Sequence, residues 1–222
     1  MPVSVEIRRG TGRFLTRGEG VLTRHSFSFG QHYDPDNVGF GSLVCHDDHL
    51  LGPGTGFDEH PHRDLDIVTW VLTGALQHSD SEGHTGVVRP GEVQVLSAGS
   101  GVTHAEMAGP EGPTRFVQAW LTPGEPGTPP AYSVTPLDLS PGELTEVVRL
   151  GDATFRVARM AAGDTVVLPD EPLQHVYVAG GALQRSSMAQ PLDDGDAFRI
   201  TDQPGLAVTA AARTELLVWS FG

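Results

Sequence analysis

The chain has 222 residues, with 28 acidic against 14 basic side chains and a net charge of −14. That balance excludes general nucleic-acid binding, which draws its affinity from cationic contacts to phosphate. All 14 basic residues are arginine, so a lysine Schiff base, a PLP anchor and a P-loop lysine are excluded by composition alone.

The 28 glycines and 17 prolines fit many short strands joined by tight turns, as in sandwiches and barrels. No apolar run approaches the ~20 residues needed to span a bilayer. Arg8, Arg9, Arg13 and Arg17 have no apolar segment behind them, so the start of the chain does not read as a secretory signal. The single cysteine, Cys45, cannot form an intrachain disulfide and fits a reducing compartment. The expectation is a cytoplasmic protein with no membrane association.

In chain order, the alternation of Phe27 and Phe29 predicts a strand with one buried face. Gly52-Pro-Gly-Thr-Gly56 is a loop and no phosphate cradle, because no helical pattern follows it. From Leu65 the punctuation is regular, with strands over Leu65–Leu72, Ala75–His78, Thr85–Val88, Val93–Leu96 and Val102–Met107. Pro90-Gly91 suits the central positions of a type II turn. This rhythm predicts an antiparallel barrel or jelly roll that returns residues 102–107 beside residues 60–66. After Phe116–Leu121, the stretch Thr122–Pro130 holds four prolines and two glycines and reads as an interdomain linker. Strands resume at Val166–Leu168, His175–Val178, Leu206–Thr209 and Leu216–Trp219, and Val71–Gly74 is faintly echoed by Val176–Gly180. The fold class is therefore all-β, in two domains spanning residues 1–125 and 126–222.

The chemistry concentrates in His60-Pro61-His62 and His104-Ala105-Glu106. On a strand the i, i+2 spacing sends both members of each pair to one face. Two facing pairs make a site of three imidazoles and one carboxylate, a set that suits a divalent first-row metal. One Fe2+ with open positions is the leading choice, with Cu, Mn, Ni and Zn behind it, because ligand type alone does not separate them. Asp64, Asp66 and Gln118 are candidates to orient the imidazoles. His32, His46, His49, His78 and His84 read as structural or surface residues. Cys45 reads as a small buried residue and the aromatics as core, with Trp120 and Phe57 alternatively lining a pocket near the metal. No Gly-x-Ser-x-Gly elbow is present, which argues against an α/β-hydrolase.

The stretches His25–Pro35, Gly54–Arg63, Val68–Leu72, Gly86–Val93 and Ser97–Met107 together resemble the pirin family of the cupin superfamily. The resemblance is close over residues 20–125 and weaker beyond, and it implies a bicupin with metal in the N-terminal barrel alone. It places His60, His62, His104 and Glu106 on the family's four ligand positions. Two departures are visible: Asp66 stands where glutamate is usual, and extra residues separate Gly99 from His104. Some bacterial members resemble quercetin 2,3-dioxygenases, which open a flavonol with O2 and release carbon monoxide. That implies a small aromatic substrate and a catalytic role for Glu106 as proton acceptor, in a protein expected to be a monomer. Animal members instead resemble iron-dependent cofactors that bind a transcription factor, so the alternative is a non-enzymatic redox sensor with a protein partner.

Overall fold

The computed structural model describes residues 4–184 and 191–222. In chain order it contains β1 (Ser4–Arg8), a 3-10 turn at Gly10–Gly12, β2 (Phe14–Gly18) and β3 (Val21–His25). There follow β4 (Leu43–Leu51), β5 (Gly56–His62), β6 (Asp66–Thr73), β7 (Leu76–Asp80) and β8 (Thr85–Val88). Next come β9 (Glu92–Ser97), β10 (Val102–Ala108), β11 (Thr114–Leu121) and β12 (Ala131–Pro136). The remainder is β13 (Leu144–Leu150), β14 (Ala153–Met160), β15 (Thr165–Val167), β16 (Leu173–Gly180) and β17 (Ala182–Leu183). β18 (Leu192–Asp193), β19 (Ala197–Thr201), β20 (Ala207–Thr209) and β21 (Thr214–Phe221) complete the chain. Every pairing between these strands is antiparallel, which gives the all-β fold expected of a bicupin. Among the described residues no helix is long and apolar enough to cross a membrane.

The chain forms two compact units, one of residues 14–137 and one of residues 4–13 with 138–222. The division thus falls at Leu137/Asp138 rather than at 125/126. β12 pairs with β9 in the first unit, while β1 pairs with β19 in the second. The proline-rich stretch 122–130 is accordingly a loop inside the first unit. Gly127 N donates to Asp64 Oδ1 and Ser100 N donates to Thr128 O, so it is tied down there. Proline content excludes a regular ladder but does not say which side of a boundary a loop lies on.

In the first unit a seven-stranded sheet (β12-β9-β6-β11-β4-β3-β2) accompanies a four-stranded one (β5-β10-β7-β8). β5 is an edge strand, which is where Pro61 is tolerated, since its missing N–H leaves a ladder position unpaired. Alternation along β10 buries Val102, His104, Glu106 and Ala108 and turns the residues between them outward. Two apolar clusters flank the site among the described residues: Leu51, Val71, Leu76, Val88, Ala108 and Phe116 form one, and Ile67, Leu96, Ala98 and Val102 the other. Along β6, β10 and β11 the residues between the clusters are polar: Thr69, then His104 with Glu106, then Gln118. The site is this polar layer.

The expected strand at Phe27–Phe29 does not form. Ser28 Oγ donates to Asp34 O, and Asn37 Nδ2 donates to Ser26 O, so side chains capture the backbone that a ladder would use. The shared buried face is lost with it, since Phe27 is 1% exposed but Phe29 is 39% exposed. The turn at Arg89–Glu92 does form, with Glu92 N on Arg89 O at 3.0 Å and Gly91 at φ 94°.

Candidate metal centre

β5 and β10 run antiparallel with His104 opposite His60 and Val102 opposite His62, so all three imidazoles face one interior. Their ring centroids lie 4.5 Å (His60–His104), 4.9 Å (His60–His62) and 5.0 Å (His62–His104) apart. One ring nitrogen from each falls within 4.8 Å of the others, spacing that a single ion between them can bridge. His60 Nδ1 donates to Asp58 O at 2.7 Å, which leaves its Nε2 lone pair available. His62 Nε2 and His104 Nε2 are both buried with no hydrogen-bond partner. Buried nitrogens without partners are disfavoured, so two of them in one cluster with His60 fit a metal-ligand set.

Charge reinforces that reading. Burial, and then the neighbouring His60, lower the His62 pKa to about 4. Burial, followed by His60, His62 and His78, lowers that of His104 to about 3. Both rings are therefore neutral near pH 7, the form that binds a metal.

Glu106 sits on the same face of β10 as His104, but a register shift separates the two. Its buried carboxylate accepts Gln94 Nε2 on Oε1 at 3.1 Å and Gln118 Nε2 on Oε2 at 2.8 Å. Both amides also donate to Thr69 Oγ1 at 3.2 Å. Burial raises the Glu106 pKa, only partly offset by the amides of Gln118 and Gln94. The carboxylate groups most closely with His104 and His78, whose donor atoms lie within 4.8 Å of it and of each other. The structure thus gathers the three expected histidines and stands Glu106 beside one of them.

Of the expected orienting residues, Gln118 touches Glu106, while Asp66 accepts Ser97 Oγ at 2.6 Å and Asp64 holds Gly127. Asp66 thus ties the end of β6 to that of β9, and Asp64 braces a loop. Trp120 lies 4.8 Å from the His62 ring and donates from Nε1 to Gln118 Oε1 at 2.8 Å. Phe57 is more distant, 6.4 Å from His60. A cleft of about 350 Å³, lined by Pro61, Arg63, Ser81 and Thr103 among others, meets this group at His62. Gln94 went unread in the sequence, where His78 reads as a structural or surface residue. His78-Ser-Asp80 carries the same i, i+2 signature as the ligand pairs, and that signal was available.

The chain matches the Pirin family model over residues 6–121. A Mycobacterium tuberculosis protein named "Putative quercetin 2,3-dioxygenase" is 42% identical, across 99% of this chain and 96% of its own. An Escherichia coli protein named quercetin 2,3-dioxygenase is 32% identical, across 88% of this chain and 89% of its own. The crystal structure of a bacterial pirin from Escherichia coli in complex with nickel(II) superposes with a TM-score of 0.89 at 24% identity, covering 98% of this chain and 99% of that one.

Proposed function

The chain belongs to the pirin family, and from that premise we propose that it is a metal-dependent dioxygenase that opens flavonols such as quercetin with O2. The observation that carries the metal is the pair of buried, unpartnered Nε2 atoms on His62 and His104, converging with His60. In this reading His60, His62, His104 and Glu106 hold one divalent ion, Fe2+ first, with nickel close behind on the strength of the nickel-bound neighbour. The bound ion supplies Lewis acidity toward a substrate oxygen and a route for electrons to O2.

The chain's own residues do the rest. Glu106 accepts the proton of the flavonol 3-hydroxyl. Gln94 and Gln118 hold that carboxylate in place, and Trp120 supplies an aromatic wall beside His62. The products are the ring-opened ester and carbon monoxide. The names of the Mycobacterium and Escherichia coli relatives support the substrate class. The lone buried Cys45 suits a cytoplasmic setting.

The test is anaerobic loading with iron(II), or with nickel(II), then quercetin and O2, following flavonol absorbance and carbon monoxide together. Both should change in the parent protein and neither in His62→Ala. His62→Ala and Glu106→Ala should each fold yet lose stoichiometric metal. Metal without turnover on any ion would favour the sensor reading, and full metal in both variants would remove the ligand assignment.

A further inference from the structure

We infer that Asp80 and His78 form a hydrogen-bonded chain that sets the tautomer and orientation of His104, making His78 a positioning residue of the metal centre. This rests on reading His60, His62 and His104 as metal ligands. β7 pairs antiparallel with β10, so that His78 lies opposite Glu106 and Asp80 opposite His104. His78 therefore points into the same interior, where it is 3% exposed. Its Nδ1 lies 3.5 Å from His104 Nδ1 and its Nε2 lies 3.1 Å from Asp80 Oδ2.

With both imidazoles neutral, the protons along this chain have one consistent arrangement. An ionised carboxylate only accepts, so His78 carries its proton on Nε2 and donates it to Asp80. Its Nδ1 is then a lone pair. His104 carries its proton on Nδ1, directed at that lone pair, and this leaves His104 Nε2 as the bare donor facing His60 and His62. That Nε2 is the buried atom with no hydrogen-bond partner. A metal-bound imidazole commonly has its other nitrogen oriented in this way by a neighbouring acceptor.

The supports of the chain are built in as well. The Asp80 side chain is fully buried, and Oδ1 accepts the backbone N–H groups of Glu82 at 3.0 Å and His84 at 2.9 Å. His84 Nδ1 reaches Oδ2 at 3.0 Å. The His78 ring lies flat on Tyr132, with centroids 4.3 Å apart and planes 12° apart, and the Tyr132 hydroxyl donates to Gln94 Oε1 at 3.2 Å. Gln94 in turn holds Glu106, so Tyr132 ties the His104 side of the site to its carboxylate.

The competing role for His78 is as a ligand itself, because its donor atom also lies within 4.8 Å of His104 and Glu106. Three variants separate the roles with nickel(II) alone as the probe, titrated against a chelator, and with cobalt(II) absorption as the spectroscopic signature. His78→Phe should still bind one nickel per chain, with affinity lowered roughly 10–100-fold and shifted cobalt bands. His78→Asn places an oxygen acceptor where Nδ1 stood and should restore most of that affinity. Asp80→Asn, which leaves both rings in place, should weaken binding in the same direction and serves if His78→Phe does not fold. Loss of stoichiometric nickel in His78→Phe would make it a ligand and overturn the proposal. Unchanged affinity with only a lowered melting temperature would make it packing and overturn it too. Failure of the parent protein to bind nickel would instead overturn the metal reading itself.

Discussion

Buried imidazoles in the first unit differ in what their nitrogens face. His25 is saturated, with Nδ1 on Asp47 Oδ2 at 2.7 Å and Nε2 on Thr16 Oγ1 at 2.9 Å. His49 pairs Nδ1 with Thr23 Oγ1 at 2.8 Å and packs between the rings of Phe57 and Phe116. His62 and His104 leave Nε2 open within a cluster of three imidazoles, and that clustering sets them apart from His25 and His49. His49 also gives a pH prediction. Burial, outweighing the nearby Asp47 and Asp48, lowers its pKa from 6.5 to about 4. The folded ring stays neutral while the unfolded ring takes up a proton below about 6.5. Its contribution is thus fully present above that pH and is lost as the pH falls toward 4, with a slope approaching ~1.4 kcal/mol per pH unit. Urea unfolding from about pH 7.5 to about pH 4.5 should show this slope added to those of His62 and His104, and His49→Gln should be flatter by about one proton. An equal slope in the variant would place the effect on other groups.

At the scale of elements, one turn device appears in both units. Gly74, at φ 78°, precedes β7, and an added Cβ would lie 2.6 Å from Pro113 O. Thr114 Oγ1 closes that turn, donating to Ala75 O at 2.9 Å and accepting Ala75 N at 3.2 Å. Gly181, at φ 84°, precedes β17, where an added Cβ would strike Arg213 O. Thr214 Oγ1 donates to Ala182 O at 2.9 Å and accepts Ala182 N at 3.1 Å. Gly74→Ala and Gly181→Ala should each destabilise the chain by at least about 1 kcal/mol, since both strain and contact oppose a side chain there. Thermal melts of the two variants check this, and a melt unchanged in either would deny the clamp in that unit. The faint echo at Val71–Gly74 was the visible trace of this repeat, although its glycine partner is Gly181 rather than Gly180. The His60-Pro61-His62 pair was legible because its spacing selects one face and its proline selects an edge. The register shift beside Glu106 was not, because bulges follow from cross-strand pairing that a local pattern does not encode. His78 and Gln94 were missed for a related reason: each acquires its meaning from a residue on another strand. The domain boundary misled because β1 and β12 pair far from their sequence neighbours.

At the scale of the whole molecule, the shared plan carries two different fillings. β5 pairs with β10 as β15 pairs with β20, and where His60 faces His104 in the first unit, Val166 faces Val208 in the second. Val166 joins a cluster with Leu168, Val176, Phe198 and Val218, and Val208 packs against it. A metal bound at the three histidines therefore adds its binding free energy to the first unit, where the ligands are. Cys45 offers a means to watch that effect over time. It lies on β4, opposite Trp120 of β11, 3% exposed, and burial followed by Asp47 raises its pKa well above the ordinary thiol value. A disulfide reagent reacts with exposed thiolate, so native Cys45 should stay silent until the sheet opens, while in urea it should react at once. Its labelling rate is a clock for opening of the first unit, and nickel should slow that clock in the parent chain but not in His62→Ala. A native rate equal to the rate in urea would mean that β4 is not enclosed. Because the chain has one thiol and no lysine side chain, an enclosed Cys45 leaves its surface without a thiol or a lysine amine. An electrophilic quinone formed by oxidation of a flavonol would then find little here to alkylate.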